Sequence, residues 1–343
     1  MTERARAIAE FLDAAGWAGA ERRLLAADAS FRRYERLWHD GTSRVLMDAP
    51  PPHENVRAFQ LVASRLIGLG LSAPRALEVD EAAGLMLLED FGDRTFTRAL
   101  AEEVDEAFLY RLAIDALIAL HRRWRPEPSP GDAETAPPPY DDARLLAEAL
   151  LLPDWFLPAL RGAPTPEPVR AAYIEAWRGS LTRIRAVPDC LVLRDYHVDN
   201  LMLLDGREGI AACGLLDFQD AVIGPVAYDV VSLLEDARRD VGPGVVAEIL
   251  ARYLDAFPEL DRARFMESYA VLGAQRAAKI AGIFTRLSRR DGKDQYLHHI
   301  PRVWRILSAD LEHPALAPVK AWFDREVPAA ARRAPPAHSE TSA

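Results

Sequence analysis

The stretch Leu193-Arg194-Asp195-Tyr196-His197-Val198-Asp199-Asn200, followed downstream by Leu216-Asp217-Phe218, sets an aspartate, an asparagine five residues later and a second aspartate close together. These residue types suit phosphoryl transfer from a nucleotide. Asp195 as a carboxylate positions an attacking hydroxyl and accepts its proton, while the Asn200 amide oxygen and the Asp217 carboxylate hold magnesium ions on the phosphates. Either half of the pattern arises often by chance; the two joined by a hairpin-sized segment are specific. The competing reading is that Asp195 and Asn200 cap a turn and Asp217 caps a strand end.

Asn200 and Asp217 can share one metal only if the chain between them turns back. Leu191-Val192-Leu193 is a short apolar run suited to a buried strand end ahead of Asp195. Leu201-Met202-Leu203-Leu204 follows Asn200, Asp205-Gly206 is a turn signal, and Gly214-Leu215-Leu216 returns just before Asp217. A β-hairpin with a long loop is expected to bring Asn200 and Asp217 together. Cys190 and Cys213 lie beside its two strands. Two cysteines make neither a disulfide scaffold nor a zinc site, so buried reduced thiols are expected.

The elements that carry this motif read as two lobes. A helix is expected over Arg4 to Ala15, with Ile8, Phe11 and Leu12 on one face, then strands over Arg22 to Ala26, Tyr34 to His39 and Arg44 to Met47. Asp40-Gly41 is the hairpin turn between the last two. Val56, Phe59, Val62, Leu66 and Leu69 give a helix from Glu54 to Leu69, and Ala76 to Val79 and Leu85 to Leu88 give two more strands. Glu89-Asp90-Phe91-Gly92 is the expected lobe connection. Helices are then expected near 103–123, 141–151, 167–186, 226–238, 243–255, 262–288 and 296–311, with a surface loop over 125–139. The expected fold class is α+β and bilobal: a small β-rich lobe with one main helix over 1–90, a larger, mostly helical lobe over 91–328, and a disordered Ala/Pro/Ser-rich tail over 329–343.

The 343 residues carry 42 Lys and Arg against 52 Asp and Glu, a formal charge of −10. That balance is no nucleic-acid footprint, which needs a basic surface. No apolar run approaches the roughly 20 residues of a membrane span, and the N-terminus leads into an amphipathic helix without the apolar core of a signal peptide. The expectation is a cytoplasmic protein acting on a small molecule, with no nucleic-acid, membrane or obligate protein partner.

These residues resemble the aminoglycoside phosphotransferase family of small-molecule kinases; protein kinases spell the same spacing H-R-D-x-x-x-x-N and D-F-G. The resemblance rests on Asp195 to Leu204, Leu215 to Ala221 and Gly224-Pro225-Val226-Ala227-Tyr228-Asp229, and spans most of the chain. It implies a protein-kinase-like fold, ATP and Mg2+ as cofactors, and adenine hydrogen-bonded to backbone groups around Leu88, Glu89, Asp90 and Phe91. The helix opened by the last block lies under the catalytic loop in such folds, so Asp229 either braces that loop or caps its own helix, and His197 is expected to anchor the loop. Three further segments, Asp28 to Tyr34, Val45 to Pro51 and Gln275 to Leu287, resemble bacterial anomeric sugar kinases within that family. Those enzymes phosphorylate the C1 hydroxyl of N-acetylmuramate and N-acetylglucosamine in peptidoglycan recycling. A kinase for another small alcohol, aminoglycosides included, and a nucleotide-binding pseudokinase are the alternatives.

Two departures from the family pattern matter. Ala27-Asp28-Ala29-Ser30 stands in place of a glycine-rich phosphate loop, its residues small enough for backbone N–H groups near Ser30 to approach phosphate oxygens. Met47 stands where such kinases place a phosphate-contacting lysine, which motivates the pseudokinase alternative. Arg32 or Arg33 is then the candidate cation, one of the pair pointing inward by strand alternation. Arg276, Lys279 and Arg286 fall on one helix face and form a candidate cationic wall for a substrate carboxylate. Tyr296 and the turn Arg289 to Asp294 are further candidates for substrate contact. The competing reading makes the arginines solvent-facing, with snorkelling stems.

Overall fold

The computed structural model describes residues 2–27, 32–52, 54–126 and 136–337. Helix α1 (Glu3–Ala14) starts on Thr2, whose hydroxyl accepts from the Ala5 N–H. An antiparallel sheet follows: β1 (Glu21–Ala27), β2 (Arg33–His39) and β3 (Thr42–Asp48), then, after α2 (Val56–Gly68), β4 (Ala76–Asp80) and β5 (Leu85–Glu89). The spatial order is β1-β2-β3-β5-β4. The two-residue turn between β2 and β3 is Asp40-Gly41, both at positive φ, the backbone that matches strand twist in tight hairpins. Alternation then sorts the faces. Leu37, Leu46, Leu85 and Leu87 join Ile8, Phe11 and Leu12 of α1 in one apolar cluster. Each such side chain withdrawn from water contributes about 1.5–3 kcal/mol. Tyr34, Arg36, Val45 and Leu88 fall on the opposite face.

Two helices follow the sheet, α3 (Phe96–Ala101) and α4 (Glu106–Arg123). Helices α5 (Asp142–Ala149), α6 (Leu157–Arg161) and α7 (Glu167–Leu181) come next, with a π-helical turn at Leu152–Phe156, and the chain then enters β6 (Asp189–Val192). Strands β7 (Leu201–Leu203) and β8 (Cys213–Leu215) form the expected hairpin, with Leu201 opposite Leu215. Strand β9 (Val222–Pro225) pairs with β6, Cys190 opposite Gly224. This corrects one expectation: Cys190 belongs to the β6–β9 pair and only Cys213 to the hairpin. Both thiols are buried and unbridged. The remainder is helical: α8 (Ala227–Leu234), α9 (Pro243–Ala256), α10 (Arg262–Asp291), α11 (Ile300–Asp310) and α12 (Ala317–Glu326).

Contacts divide the chain into two compact units, Met1–Pro137 with Val198–Ala221, and Pro138–His197 with Val222–Ala343. In the first, the hairpin is tied in by Leu215 N–H to the Ser72 carbonyl and Leu203 N–H to the Arg94 carbonyl, each 2.8 Å. In the second, the 30-residue α10 is the central element, with α5, α8 and α11 packed on it. Gly282 permits the close approach of the segment leading into the π-helical turn, since an added Cβ would lie 2.3 Å from the Leu151 carbonyl carbon. The tail expected to be disordered from Ala329 starts ordered: Arg332 donates to the Val327 carbonyl (3.0 Å), Ser308 Oγ (3.1 Å) and Asp324 Oδ1 (2.8 Å). No helix among the described residues is long and apolar enough to cross a membrane.

Candidate functional site

The first unit contains a cavity of about 330 Å³. Val45, Phe59, Leu88 and Met202 give it apolar walls, and Glu89, Asp90 and Phe91 line it together with Asn200 and Asp217. Its size and its mix of apolar walls with a few polar groups suit a small-molecule pocket. The hairpin comes close beneath Phe91: an added Cβ at Gly214 would lie 2.9 Å from the Phe91 ring and 3.0 Å from Met202 Cβ, so only glycine fits there.

A buried arginine fixes the wall at Asp90 to Asp93, and sequence reasoning did not single it out. Arg36 on β2 is 8% exposed. Its Nε lies 2.7 Å from Asp90 Oδ2, its Nη2 donates to Asp90 Oδ1 (3.0 Å) and the Gly92 carbonyl (2.8 Å), and its Nη1 donates to Asp93 Oδ2 (2.7 Å). The hydrogen bond from Arg36 leads in holding the Asp93 carboxyl below the ordinary range. The available signal was a charged residue on the inward strand face, at two-residue spacing between Tyr34 and Trp38.

The hairpin brings the two expected metal ligands together. Asn200 Nδ2 is 3.5 Å from Asp217 Oδ2, and the Leu216 N–H donates to the Asn200 carbonyl at 3.0 Å. Gln219 Nε2 donates to Asp217 Oδ1 at 2.6 Å. Asp217 has φ 57°, a left-handed backbone that costs a non-glycine residue about 1–3 kcal/mol and is found where a site requires it. A carboxylate and an amide oxygen are hard donors that fit Mg2+, which takes one or two protein ligands and completes its octahedron with phosphate oxygens and water.

The two candidate cations diverge. Arg32 Nη2 lies 3.9 Å from Asp217 Oδ1 and 3.7 Å from Asp220 Oδ2, and its Nε lies 3.6 Å from Glu54. The Arg33 side chain is 55% exposed and pairs with Glu35. Met47 is buried between Tyr34 and Met86 in the sheet register and does not line the cavity. Ser30 lies outside the described residues.

In the second unit, the loop bearing Asp195 is braced from α8. Asp229 Oδ2 accepts from the Leu193 N–H (2.6 Å) and Oδ1 from the Arg194 N–H (2.9 Å), while Ser232 Oγ donates to the Arg194 carbonyl (3.1 Å). Asp229 therefore holds the loop rather than capping its own helix. These bonds fix Arg194 at φ 70°, a second left-handed non-glycine residue. Burial lifts the Asp229 carboxyl to about 7 against the pull of the two N–H donors. The His197 N–H donates to the Asp195 carbonyl at 3.2 Å, and its buried ring faces Asp236.

Around Asp195 the charges are balanced by a residue the sequence did not announce, Glu148 on α5. It takes the Arg194 guanidinium, the Lys279 ammonium at 3.2 Å, the Tyr140 hydroxyl and, at 3.4 Å, Gln275 Nε2. Burial alone would raise the Asp195 carboxyl, but Lys279, then His197, Arg194 and Arg276, outweigh it and hold the group below the ordinary range. Asp195 is thus kept as a carboxylate, the form a proton acceptor needs.

The helix α10 does not present Arg276, Lys279 and Arg286 as one open cationic wall. Arg276 is 5% exposed and donates to the Glu235 carbonyl at 3.2 Å; Lys279 is 8% exposed and paired with Glu148. Both turn inward because α5 and α8 pack on that face and carry these acceptors. Arg286 alone of the three is half-buried, and its Nε has no hydrogen-bond partner among the described residues. Tyr296 packs on Phe284, ring centroids 5.4 Å apart, and Arg290 in the following turn pairs with Asp291.

The model of the phosphotransferase enzyme family matches residues 21–266. The chain is 40% identical to the N-acetylmuramate/N-acetylglucosamine kinase of Caulobacter vibrioides, over 97% of this chain and 99% of that one. It is 37% identical to the kinase of the same name from Pseudomonas aeruginosa, over 90% of each. Among solved structures, the streptomycin–ATP ternary complex of APH(2'')-IIa superposes with a TM-score of 0.58 over 92% of this chain and 98% of that one, at 16% identity. Matches over nearly the whole length lead to one conclusion: the chain belongs to the phosphotransferase enzyme family and has its protein-kinase-like α+β fold.

Proposed function

We propose that this phosphotransferase moves the γ-phosphoryl group of ATP to the anomeric C1 hydroxyl of N-acetylmuramate and N-acetylglucosamine, in the cytoplasm, as a step in reuse of cell-wall sugars. The observation that carries the reading is the 40% identity to a kinase of that name across 97% of the chain. The cavity of the first unit supports it as the place for ATP, with the base against Val45 and Leu88 and beside the backbone of Glu89 to Phe91. Asn200 and Asp217 would hold Mg2+, which supplies charge neutralisation on the phosphates. Arg32 adds positive charge near Asp217, where Met47 supplies none.

Asp195 orients the sugar hydroxyl and takes its proton as the bond from that oxygen to the γ-phosphorus forms and the bond from phosphorus to the β-phosphate bridging oxygen breaks, releasing ADP. The transition state is loose, so positioning and charge matter more than the strength of the base. That suits a carboxylate held below its ordinary range by Lys279 and its neighbours. An anomeric hydroxyl, more acidic than an ordinary alcohol, further lightens the demand on it.

The deciding experiment measures ATP consumption with N-acetylmuramate, N-acetylglucosamine, glucose and kanamycin, followed by phosphorus NMR of the product. An anomeric phosphate from the two acetylated sugars is expected. Turnover of kanamycin alone, or of none of the four, would overturn the reading.

A further inference from the structure

The two carboxylate oxygens of Asp217 face different partners. Oδ1 accepts from Gln219 Nε2 at 2.6 Å and lies 3.9 Å from Arg32 Nη2, whereas Oδ2 lies 3.5 Å from Asn200 Nδ2. Asp217 and Asn200 both line the cavity of the first unit, and the Asp217 side chain is 39% exposed, so an ion can reach it. Gln219 is no ligand in this arrangement: it turns an N–H toward the carboxylate, a group that a cation cannot use.

The turn that carries the two residues is held from behind. Phe218, between them, is fully buried, its ring centroid 4.9 Å from that of Phe59 on α2, and the Ala221 N–H donates to the Phe218 carbonyl at 3.0 Å. The bond to Asp217 is the only hydrogen bond of the Gln219 side chain among the described residues, since its Oε1 is buried without a partner. An amide buried half-satisfied is a poor device for stability. A hydrogen bond to a metal-ligating carboxylate, by contrast, is the usual means of orienting that ligand.

We propose that Gln219 is a positioning residue for the metal site: its amide occupies Asp217 Oδ1 and leaves Oδ2, on the Asn200 side, as the one oxygen offered to the ion. This rests on the assignment of Asn200 and Asp217 as Mg2+ ligands above. A single oxygen from the carboxylate suits Mg2+, whose octahedron is strict, whereas the larger Ca2+ accepts both oxygens of one carboxylate. Gln219 thereby favours Mg2+ over Ca2+ in the nucleotide complex.

The test is calorimetric titration of ATP into wild type, Gln219→Met and Gln219→Glu, each with Mg2+, with Ca2+ and with EDTA. Gln219→Met keeps the length of the side chain and removes the donor, which releases Oδ1. Affinity for ATP with Mg2+ should fall about 10- to 100-fold, the range for loss of a residue that orients a metal ligand. Affinity with Ca2+ should fall less, so the preference for Mg2+ should narrow by about 10-fold. Affinity with EDTA should stay within about twofold of wild type, the sign of an intact cavity. Gln219→Glu, of the same shape but without the donor, should also narrow the preference, and it decides the matter if Gln219→Met does not fold. A ratio of Mg2+ to Ca2+ affinity within about twofold of wild type overturns the assignment, whether affinity is unchanged or lost equally in all three conditions. Wild-type affinity for ATP that is the same with Mg2+ as with EDTA instead removes the metal site, and the role of Gln219 with it.

Discussion

The Lys279 ammonium stands 3.2 Å from Glu148, and the same carboxylate takes the Arg194 guanidinium. One acidic residue thereby balances two of the cations whose field keeps Asp195 ionised. The side chains of Lys279 and Glu148 are 10% and 13% exposed, so water cannot replace a lost partner. Removing one member of such a pair costs about 3–5 kcal/mol because the other is left uncompensated, whereas removing both can cost less. Glu148→Gln and Lys279→Met should each destabilise by roughly that amount. The double variant should be more stable than additivity allows, by about 0.5–3 kcal/mol. Urea melts of the four proteins measure this, and strictly additive losses would show the pair uncoupled.

Asp195 and Asp217 belong to different compact units and should fail in different ways. Asp195→Asn keeps the shape and removes the proton acceptor, so kcat should fall by about 10²- to 10⁴-fold. ATP affinity should change little. Asp217→Asn should weaken ATP binding in the presence of Mg2+ and leave metal-free binding near wild type. Calorimetry with Mg2+ and with EDTA separates the two. Wild-type affinity for the magnesium complex in Asp217→Asn would remove that residue as a ligand.

Arg36 reaches Asp90, Gly92 and Asp93 at once, a span that a single ammonium cannot cover. Arg36→Met should leave the Asp90 to Asp93 wall of the cavity unfixed and raise the KM for ATP at least about 10-fold, the scale of one lost charge-assisted bond. Arg36→Lys should lie between. The KM of the acceptor should move less. An unaltered KM for ATP in Arg36→Met would take the residue out of nucleotide positioning.

What the sequence disclosed was local. The alternation in Tyr34 to His39, the Asp40-Gly41 turn and the spacing from Asn200 through Asp205-Gly206 to Asp217 each depend on neighbours along the chain, and β2, β3 and the β7–β8 hairpin follow them. Glu148 has no such signal. It is one of two acids on a short helix, and its partners Arg194 and Lys279 are 46 and 131 positions away in sequence. The β6–β9 pairing was missed for the same reason: Val222–Pro225 is a four-residue strand whose partner lies across the hairpin. Arg276 and Lys279 show the limit of helical spacing. It places side chains on a common face but does not say whether that face meets solvent or, as here, α5 and α8.

Glu235 and Asp310 form an acid pair over Gly273, where an added Cβ would lie 2.6 Å from both Glu235 Oε2 and Asp310 Oδ2. Both oxygens are buried. Burial lifts the Glu235 carboxyl to about 7 against the Tyr269 hydrogen bond and the Arg276 charge; burial, then the charge of Glu235, lifts Asp310 well above the ordinary range. Two carboxyls so placed cannot both ionise without strong repulsion, so the folded protein keeps a proton between them. The unfolded chain releases that proton near about pH 4. The stabilisation is therefore complete below about pH 4 and is lost as pH rises through about 7. Asp310→Asn removes one acid and retains a hydrogen-bond donor toward Glu235. Its melting temperature should fall less than that of wild type between about pH 4 and pH 7. Circular-dichroism melts across that range decide the matter, and an identical pH slope in the two proteins would assign the loss to other groups. Gly273→Ala drives a methyl group into both carboxyls and should destabilise by about 1–3 kcal/mol or more at either end of the range.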